Sequence, residues 1–441
     1  MSFQNDFLWG AASAAYQVEG AYDVDGRGPS IWDALSDGHI RHGENGNTAC
    51  EHYYRFKEDV ALMKEMGLKA YRFSVSWSRV IPQPGVVNEK GLQFYRDLVQ
   101  ELVDSGIEPL CTLFHWDLPM WVHEKGGWRS SDISDDFVAY TKVVVDTLSD
   151  KVSYWITFNE PACFIGNGYI AGMHAPFEKG LDKPMPEMVS DVLALTRNVL
   201  LAHGKAVKTI RAKATLPPLI GMALNGILLT PKDNAETSMQ AAKAGMFPDT
   251  ASFSHINWWA DPTILGKLPQ TMQEAITPEE LVIIHQPIDF FGYNCYHTSD
   301  YDEYYGSNPA VYPGMPRTAM DWPITPDALY WAAKLFTERY GLPILVTENG
   351  MANVDFVMSD GKIHDPQRIE YLKGYIDGLQ KAADEGVPLV GYMYWSLMDN
   401  FEWAEGYDKR FGLVYVDYRT QKRTRKESSF WYADVINNNG L

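Results

Sequence analysis

The sequence lacks an excess of positive charge. Its 441 residues include 38 Lys and Arg against 57 Asp and Glu, which gives a formal net charge of −19 at pH 7. A surface of this sign repels phosphate backbones and anionic lipids, so we expect neither a nucleic-acid partner nor a membrane-surface role. There is also no apolar run of about 18 residues, and we therefore expect no membrane-spanning helix.

Cysteine is scarce, and its copies are scattered. Cys50, Cys111, Cys163 and Cys295 form no Cys-x-x-Cys pair. We interpret them as reduced, buried thiols. The first residues lack the basic and apolar pattern of a signal peptide, so a cytoplasmic location is expected. His-x-His and His-Glu-x-x-His are missing as well, and we expect no metal site.

No linker rich in Pro, Gly or Ser divides the chain. Instead, short apolar runs alternate with helix-like stretches, and this order is typical of βα units. The near-continuous apolarity of the runs indicates parallel strands that are buried on both faces. The eight candidate strands are Phe7–Ala14, Ala70–Val75, Glu108–Phe114, Tyr154–Phe158, Ile220–Asn225, Asp289–Tyr293, Ile344–Thr347 and Leu389–Trp395.

Helical periodicity fills the segments between these strands. Several candidate helices stop at a glycine just before the next strand, as at Gly67, Gly106 and Gly386, which is a common helix ending. The pattern predicts an α/β fold, a single (β/α)8 TIM barrel with long βα loops that forms one domain over residues 1–441. A doubly wound sheet is the alternative, and the missing G-x-G-x-x-G fingerprint counts against it. The candidate helices are Tyr53–Met66, Gly91–Ser105, Ile133–Leu148, Val192–Ala212 and Arg368–Glu385.

Polar and aromatic residues follow nearly every candidate strand. In a barrel, the carboxyl ends of the strands carry the catalytic groups. A structural protein has no reason to collect amides, carboxylates and indoles at one face. The residues in question are Gln17, Glu19, Arg72, Trp77, His115, Trp116, Asp117, Asn159, Glu160, Asn225, Asn294, Tyr296, Glu348, Asn349, Trp395, Asp399, Glu402 and Trp403.

Two carboxylates are the strongest catalytic candidates. Glu160 ends the fourth candidate strand and Glu348 ends the seventh. Each alone is better explained as a surface glutamate at the start of a loop, since Glu-Asn-Gly is common turn chemistry. Together at one face, they match the pair that cleaves a glycosidic bond, one a protonated acid and the other an ionised nucleophile or base. Arg72 either forms a structural ion pair or lowers the pKa of the ionised carboxyl.

The aromatic residues suit a sugar ligand. Indole and phenol rings offer flat faces to the C–H side of a pyranose, while amides and carboxylates bond its hydroxyls. A single Trp is better explained by core packing. Trp116, Trp395 and Trp403 each lie beside a polar cluster, and for them we favour binding. His115 is either a satisfied core histidine or a metal ligand, and the missing metal motifs count against the second reading.

Six motifs in order resemble glycoside hydrolase family 1, a family of β-glucosidases, over nearly the full length of the chain. They are FLWGAASAAYQVEG at 7–20, YRFSVSWSR at 71–79, HWDLP at 115–119, TFNEP at 157–161, TENG at 347–350 and WSLMDNFEW at 395–403. The resemblance implies a (β/α)8 barrel that hydrolyses β-glycosides with retention of configuration. It also implies that no metal or cofactor is required.

The resemblance assigns roles residue by residue. Glu160 resembles the acid/base and Glu348 the nucleophile, with Arg72, Asn294 and Tyr296 in support. Retention implies that the two carboxyl groups lie roughly 5–5.5 Å apart. The implied substrate-binding residues are Gln17, His115, Trp116, Asn159, Tyr296, Trp395, Glu402, Trp403 and Phe411. The implied residues on the aglycone side are Ala162, Cys163, Asn167 and Trp322.

The Glu402-Trp403 pair narrows the range of substrates that the resemblance implies. Family members that act on 6-phosphosugars usually replace this pair, and a carboxylate here would repel a phosphate. The resemblance therefore implies small-molecule substrates such as cellobiose, cello-oligosaccharides and aryl β-glucosides, with β-galactosides and β-fucosides also accepted, and hence a part in cellulose degradation. A 6-phospho-β-glucosidase and a non-catalytic sugar-binding barrel are the alternatives, and the oligomeric state is left open.

The chain departs from the family pattern near Glu160. Ala162 stands where an aromatic residue is usual, and Cys295 stands where tyrosine is frequent. The hypothesis that follows is that Ala162 widens the entrance for bulky aryl groups or longer oligosaccharides.

Overall fold

Eight parallel strands close into a barrel in this computed structural model, which describes residues 3–233, 235–299, 301–302, 306–307, 312 and 314–441. Strands adjacent in sequence pair with each other, and the last strand pairs with the first. The predicted (β/α)8 barrel is confirmed. The strands are β1 (Leu8–Ala12), β2 (Ala70–Ser74), β3 (Glu108–Phe114), β4 (Tyr154–Asn159), β5 (Leu219–Leu224), β6 (Phe291–Asn294), β7 (Ile344–Asn349) and β8 (Leu389–Trp395).

Helices surround the barrel, and short antiparallel hairpins lie outside it. The hairpins are Tyr301–Asp302 with Gly306–Ser307, and Val414–Asp417 with Lys422–Arg425. The α-helices are Ala15–Val18, Ile31–Leu35, His52–Glu65, Trp77–Val80, Glu89–Asp104, Met120–Glu124, Ile133–Leu148, Pro161–Ile165, Met185–Lys213, Glu236–Met246, Ile256–Ala260, Pro278–Ile284, Asp327–Tyr340, Pro366–Asp384 and Glu427–Asn438. Shorter 3₁₀ or π turns are Arg41–Gly43, Gly127–Arg129, Gly166–Ile170, Gly180–Asp182, Asp261–Leu265, Gln270–Met272 and Trp403–Glu405.

The two largest strand differences from the sequence prediction lie at β1 and β6. β1 stops at Ala12 because the chain turns into a helix, where the N–H of Ala15 donates to Ser74 Oγ at 2.7 Å. β6 starts at Phe291 because Asp289 lies in the turn before it. There, the Asp289 carboxylate accepts a hydrogen bond from the N–H of Ile220 at 2.7 Å.

The barrel interior is apolar in its lower part and polar at its mouth. Side chains alternate between the two faces of a strand, so Ala70 and Arg72 of β2 both point inward. Ala70 packs in an inner cluster with Leu110, Ile156, Leu345 and Met393 from other strands. Arg72 is fully buried one layer higher. The fold therefore places the polar ends of the strands above a closed apolar floor.

The five candidate helices all form, and their ends lie within two residues of the predicted ones except at Val192–Ala212, which begins seven residues earlier, at Met185. In Glu89–Asp104, Leu92, Tyr95, Leu98 and Leu102 form the buried stripe. The chain then turns at Gly106, whose φ of 74° is left-handed and favours glycine. Among the described residues, we find no helix that is both long and apolar enough to cross a membrane.

Candidate active site

Glu160 lies at the exit of β4 and turns sharply out of the strand. Its backbone has φ 44°, and it caps the helix Pro161–Ile165. Its N–H still donates to the carbonyl of Ala223 in β5 at 2.8 Å, so strand pairing continues up to this residue. The turn brings a 7% exposed carboxyl group to the mouth of the barrel.

Glu348 lies inside β7 and is held by two donors. Arg72 donates to one carboxylate oxygen at 2.5 Å, and the hydroxyl of Tyr296 donates to the other at 2.7 Å. Arg72 also donates to Thr112 Oγ1 and to the carbonyl of Thr347, each at 3.1 Å. The guanidinium is therefore anchored from below, and the Glu348 carboxylate has a fixed position.

Two amides connect the two carboxyl groups. The Oδ1 of Asn159 accepts from Arg72 at 2.8 Å and from Asn294 Nδ2 at 2.9 Å. Asn294 Nδ2 also donates to Glu160 Oε1 at 2.7 Å. The register of β6 and β7 aligns Asn294 with Glu348. Thus Glu160 and Glu348 are joined through a fully buried chain of Asn294, Asn159 and Arg72.

The electrostatic environments of the two carboxyl groups differ. Burial and the nearby charge of Glu348 raise the pKa of Glu160 to about 7. Burial also raises the pKa of Glu348, but Arg72 and Tyr296 counteract this rise. Since only Glu348 holds a direct ion pair with a guanidinium, the proton that the pair retains near neutral pH resides on Glu160.

A cavity of about 290 Å³ opens above Glu348 and is lined by sugar-compatible groups. The ring of His115 stacks on Trp395 at 5.7 Å between centroids and on Trp403 at 6.0 Å. Burial and the charges of the other two glutamates raise the pKa of Glu402 to about 8. The predicted residues that line this cavity are His115, Trp116, Asn159, Glu160, Cys163, Asn167, Tyr296, Trp322, Glu348, Trp395, Glu402, Trp403 and Phe411.

His115 has one defined tautomer. Asn159 Oδ1 already accepts two bonds, so its Nδ2 is the donor that faces His115 Nε2 at 3.1 Å. His115 therefore accepts at Nε2 and carries its proton on Nδ1. Burial and the charge of Arg72 hold its pKa well below the usual value, and the ring is neutral.

A second cavity, of about 550 Å³, joins the first at Glu160. Ala162, Cys163, Asn167 and Trp322, predicted for the aglycone side, all line it. Cys163 is only half-buried, so the expectation of four buried thiols is wrong at this position. Its sulfur lies 3.1 Å from Asn225 Nδ2, which donates to it.

Other predicted residues support the walls of these cavities. Gln17 does not line the first cavity, but its Nε2 donates to the carbonyl of Phe401 at 2.8 Å and approaches Glu402 at 3.4 Å. Trp116 donates its indole N–H to the carbonyl of Asn159 at 2.9 Å. Trp116 thus braces a strand end as well as lining the cavity.

Some lining residues were missed by the sequence analysis. Phe253, His297 and Ile170 line the larger cavity, and His174 and Met320 line the smaller one. Phe253, Ile170, His174 and Met320 come from segments well beyond the strand ends, so the strand-end pattern gives no signal for them. His297 is different, because it directly follows the predicted Tyr296 and lies three residues after β6. Part of the high tryptophan content has another explanation, because six of the fourteen tryptophans are fully buried core residues. These are Trp9, Trp32, Trp77, Trp128, Trp155 and Trp259.

Comparisons with known proteins identify the class. The family model of glycosyl hydrolase family 1 matches residues 1–441. Beta-glucosidase A of Acetivibrio thermocellus is 41% identical, with 100% of this chain and 99% of that protein covered. The aryl-phospho-beta-D-glucosidase BglC of Bacillus subtilis is 37% identical over 100% of this chain and 98% of its own length.

Solved structures agree with this class. The family 1 β-glucosidase from Thermotoga maritima superposes with a TM-score of 0.89 at 40% identity, covering 100% of this chain and 99% of that one. The same enzyme in complex with deoxynojirimycin gives the same TM-score, identity and coverage. The chain belongs to glycosyl hydrolase family 1, and it is a glycoside hydrolase.

Proposed function

We propose that this protein is a retaining β-glucosidase that removes terminal β-D-glucosyl residues and works as one catalytic domain. The observation that carries the proposal is the pair Glu160 and Glu348 in contrasting environments at the mouth of the barrel. Glu160 is bonded to a neutral amide, while Glu348 is paired with Arg72. A protonated acid opposite an ionised carboxylate is the arrangement that glycosidic cleavage requires.

The proposed reaction has two steps. The carboxylate of Glu348 attacks the anomeric carbon, and a covalent glycosyl-enzyme forms while Glu160 donates its proton to the leaving oxygen. Water then enters and loses a proton to Glu160 while its oxygen bonds to the anomeric carbon, and the bond from the sugar to Glu348 breaks. Retention predicts carboxyl groups roughly 5–5.5 Å apart, and a separation near 9 Å would contradict the proposal in favour of inversion.

The glucosyl residue is proposed to occupy the smaller cavity. Trp395 and Trp403 supply ring faces, and Glu402, His115 and Asn159 supply hydrogen-bonding groups. The aglycone is proposed to extend into the larger cavity, where Trp322 and Phe253 offer aromatic walls. Cellobiose, cello-oligosaccharides and aryl glucosides are the proposed substrates, with β-galactosides and β-fucosides also accepted.

A phosphorylated substrate is less favoured, although one relative carries that name. No lysine or arginine is found among the described residues that line the smaller cavity, whereas phosphate binding relies on such cations. The charge of Glu402 adds little to the repulsion of a phosphate, because a pKa of about 8 leaves that group largely protonated at pH 7.

The decisive experiment is hydrolysis of p-nitrophenyl β-D-glucoside by the wild type and by Glu348→Gly. We expect Glu348→Gly to lose at least about 10³-fold in kcat, because no nucleophile remains. The exposed, remote Glu338→Gln is the control and should retain the wild-type rate. Equal rates for Glu348→Gly and the wild type would refute the assignment. A higher kcat/KM on the 6-phosphorylated glucoside would favour the alternative activity.

A further inference from the structure

A buried ionic network lies beneath the segment 399–412, which carries Glu402, Trp403 and Phe411. We call it the clamp network. It contains three acidic and three basic side chains, so its formal charges balance. All but the half-buried Arg410 are buried. Its members are Asp355, Asp365, Arg368, Asp399, Arg410 and Lys426.

Asp399 joins the two ends of the segment. Its Oδ1 accepts from the N–H of Gly412 at 3.0 Å, and its Oδ2 accepts from Arg410 at 2.7 Å. A Cβ on Gly412 would lie 2.1 Å from the Asp399 nitrogen, so this approach requires glycine. Asp399 lies three residues before Glu402, and Arg410 and Gly412 flank Phe411. One carboxylate therefore fixes both ends of the sugar-facing segment.

Lys426 connects this segment to the loop that follows β7, the strand that carries the proposed nucleophile. Its Nζ donates to Asp399 Oδ1 and to Asp355 Oδ2, at 2.6 Å in each case. Asp355 follows β7 seven residues after Glu348. Arg368 binds the same Asp355 oxygen at 2.7 Å and donates to the carbonyl of Arg410 at 2.9 Å. The ammonium of Lys426 thus binds two segments at once. One follows Glu348 and contains Asp355, and the other precedes Glu402 and contains Asp399.

Breaking one ion pair of the clamp network should destabilise the fold. Burial acts to raise the pKa of Asp355, but Lys426 and Arg368 together hold it below its usual value, so the carboxyl is charged. Removing one partner of a buried pair leaves an uncompensated charge, whereas an apolar replacement of the whole group is often neutral. A well-packed core therefore does not require these six charged side chains. The fixed position that their bonds give to the segment 399–412 is the more direct reason for them.

We propose that Lys426 is a positioning residue for sugar recognition. Its ammonium fixes the segment 399–412, and with it Glu402, Trp403 and Phe411, relative to Glu348. Lys426 does not touch the sugar cavity and acts only through Asp399 and Asp355. The inference deepens the proposed β-glucosidase function and rests on it.

The test measures binding of deoxynojirimycin, a glucose-shaped iminosugar without an aglycone, by calorimetry on the full chain. We expect Lys426→Met to weaken this Kd about 10-fold at a temperature well below its Tm. Arg339→Met is the matched control, because it breaks a pair with Asp261 that lies outside the clamp network. It should lower Tm but leave the Kd within twofold.

A second variant covers the case in which Lys426→Met does not fold. Asp355→Asn keeps the shape of the side chain and removes the charge on the nucleophile side, and we expect about a threefold weaker Kd. An unchanged Kd in a folded Lys426→Met would overturn the inference. If Lys426→Met does not fold, an unchanged Kd in Asp355→Asn would overturn it instead. In both cases, hydrolysis by the wild type would still support the β-glucosidase. A wild type that neither hydrolyses p-nitrophenyl β-D-glucoside nor binds the iminosugar would overturn the proposed function itself.

Discussion

At the scale of single residues, the site depends on the different environments of two glutamate carboxyl groups. Both glutamates are buried, and burial alone would raise the pKa of each. Arg72 and Tyr296 stabilise charge on Glu348, while Asn294 offers Glu160 only a neutral amide. The proposed acid and the proposed nucleophile are therefore distinguished by their neighbours and not by residue type.

This difference predicts a bell-shaped pH profile for kcat/KM. Glu160 must be protonated to act as the acid, and its pKa of about 7 places the alkaline limb near pH 7. Glu348 must be ionised, and its raised pKa places the acidic limb above that of an ordinary glutamate. The Asn294 hydrogen bond lowers the pKa of Glu160, so Asn294→Ala should move the alkaline limb to higher pH. A limb that stays in place or moves down would contradict this assignment.

At the scale of elements, the short helix Pro161–Ile165 shapes the entrance. Ala162 is 7% exposed and lines the larger cavity beside Glu160. The next turn carries Gly166, where an added Cβ would lie 2.8 Å from Phe253 Cε2. Small residues on this helix and turn leave the space between Phe253 and Trp322 open.

Filling that space should change selectivity. We expect Ala162→Trp to reduce kcat/KM on two-ring aryl glucosides at least about 5-fold more than on p-nitrophenyl β-D-glucoside, because the indole would occupy part of the aglycone volume. Ala212→Trp, at an exposed position on the helix Met185–Lys213, is the matched control and should change neither value. If Ala162→Trp left the ratio of activities on bulky and small substrates unchanged, the widened-entrance hypothesis would fail.

At the scale of the whole molecule, buried titratable groups link stability to pH. Burial raises the pKa of Asp117 and of Glu402 to about 8 each. It lowers the pKa of His174 to about 4 and of His203 to about 3. The folded state thus holds extra protons on the two carboxyl groups up to about pH 8. The two histidines add no difference in bound protons above their ordinary pKa of about 6.5, because they are then neutral in both the folded and the unfolded chain.

Stability should therefore fall as pH rises from 6.5 to 8. In this window the unfolded chain has released the protons that Asp117 and Glu402 keep when folded, so unfolding releases protons and alkali favours it. The two groups together predict a loss of about 3 kcal/mol in the free energy of unfolding. Urea denaturation at both pH values checks this. Asp117→Asn should remove about 40% of the slope, because Glu160, with its pKa of about 7, also releases a proton on unfolding in this window. A stability that is flat or increasing across the window would contradict the prediction.

Sequence and structure contributed different parts of the candidate site. The strand ends are predictable because apolar runs are local patterns, and Glu160, Glu348 and Asn294 follow such runs directly. Phe253 and His174 are not predictable in this way, since they reach the cavities from loops whose paths depend on packing. Lys426 gave no signal either, because its partners Asp355 and Asp399 lie 71 and 27 positions away in the sequence.

The sequence by itself determined the barrel and the two carboxylates, because periodicity and motif spacing are properties of neighbouring residues. Only the tertiary structure decided which carboxyl keeps the proton, how the two cavities meet at Glu160, and which ion pairs hold the segment 399–412. Burial, hydrogen bonds and ion pairs between distant segments decide these features, and they exist only once the barrel has closed.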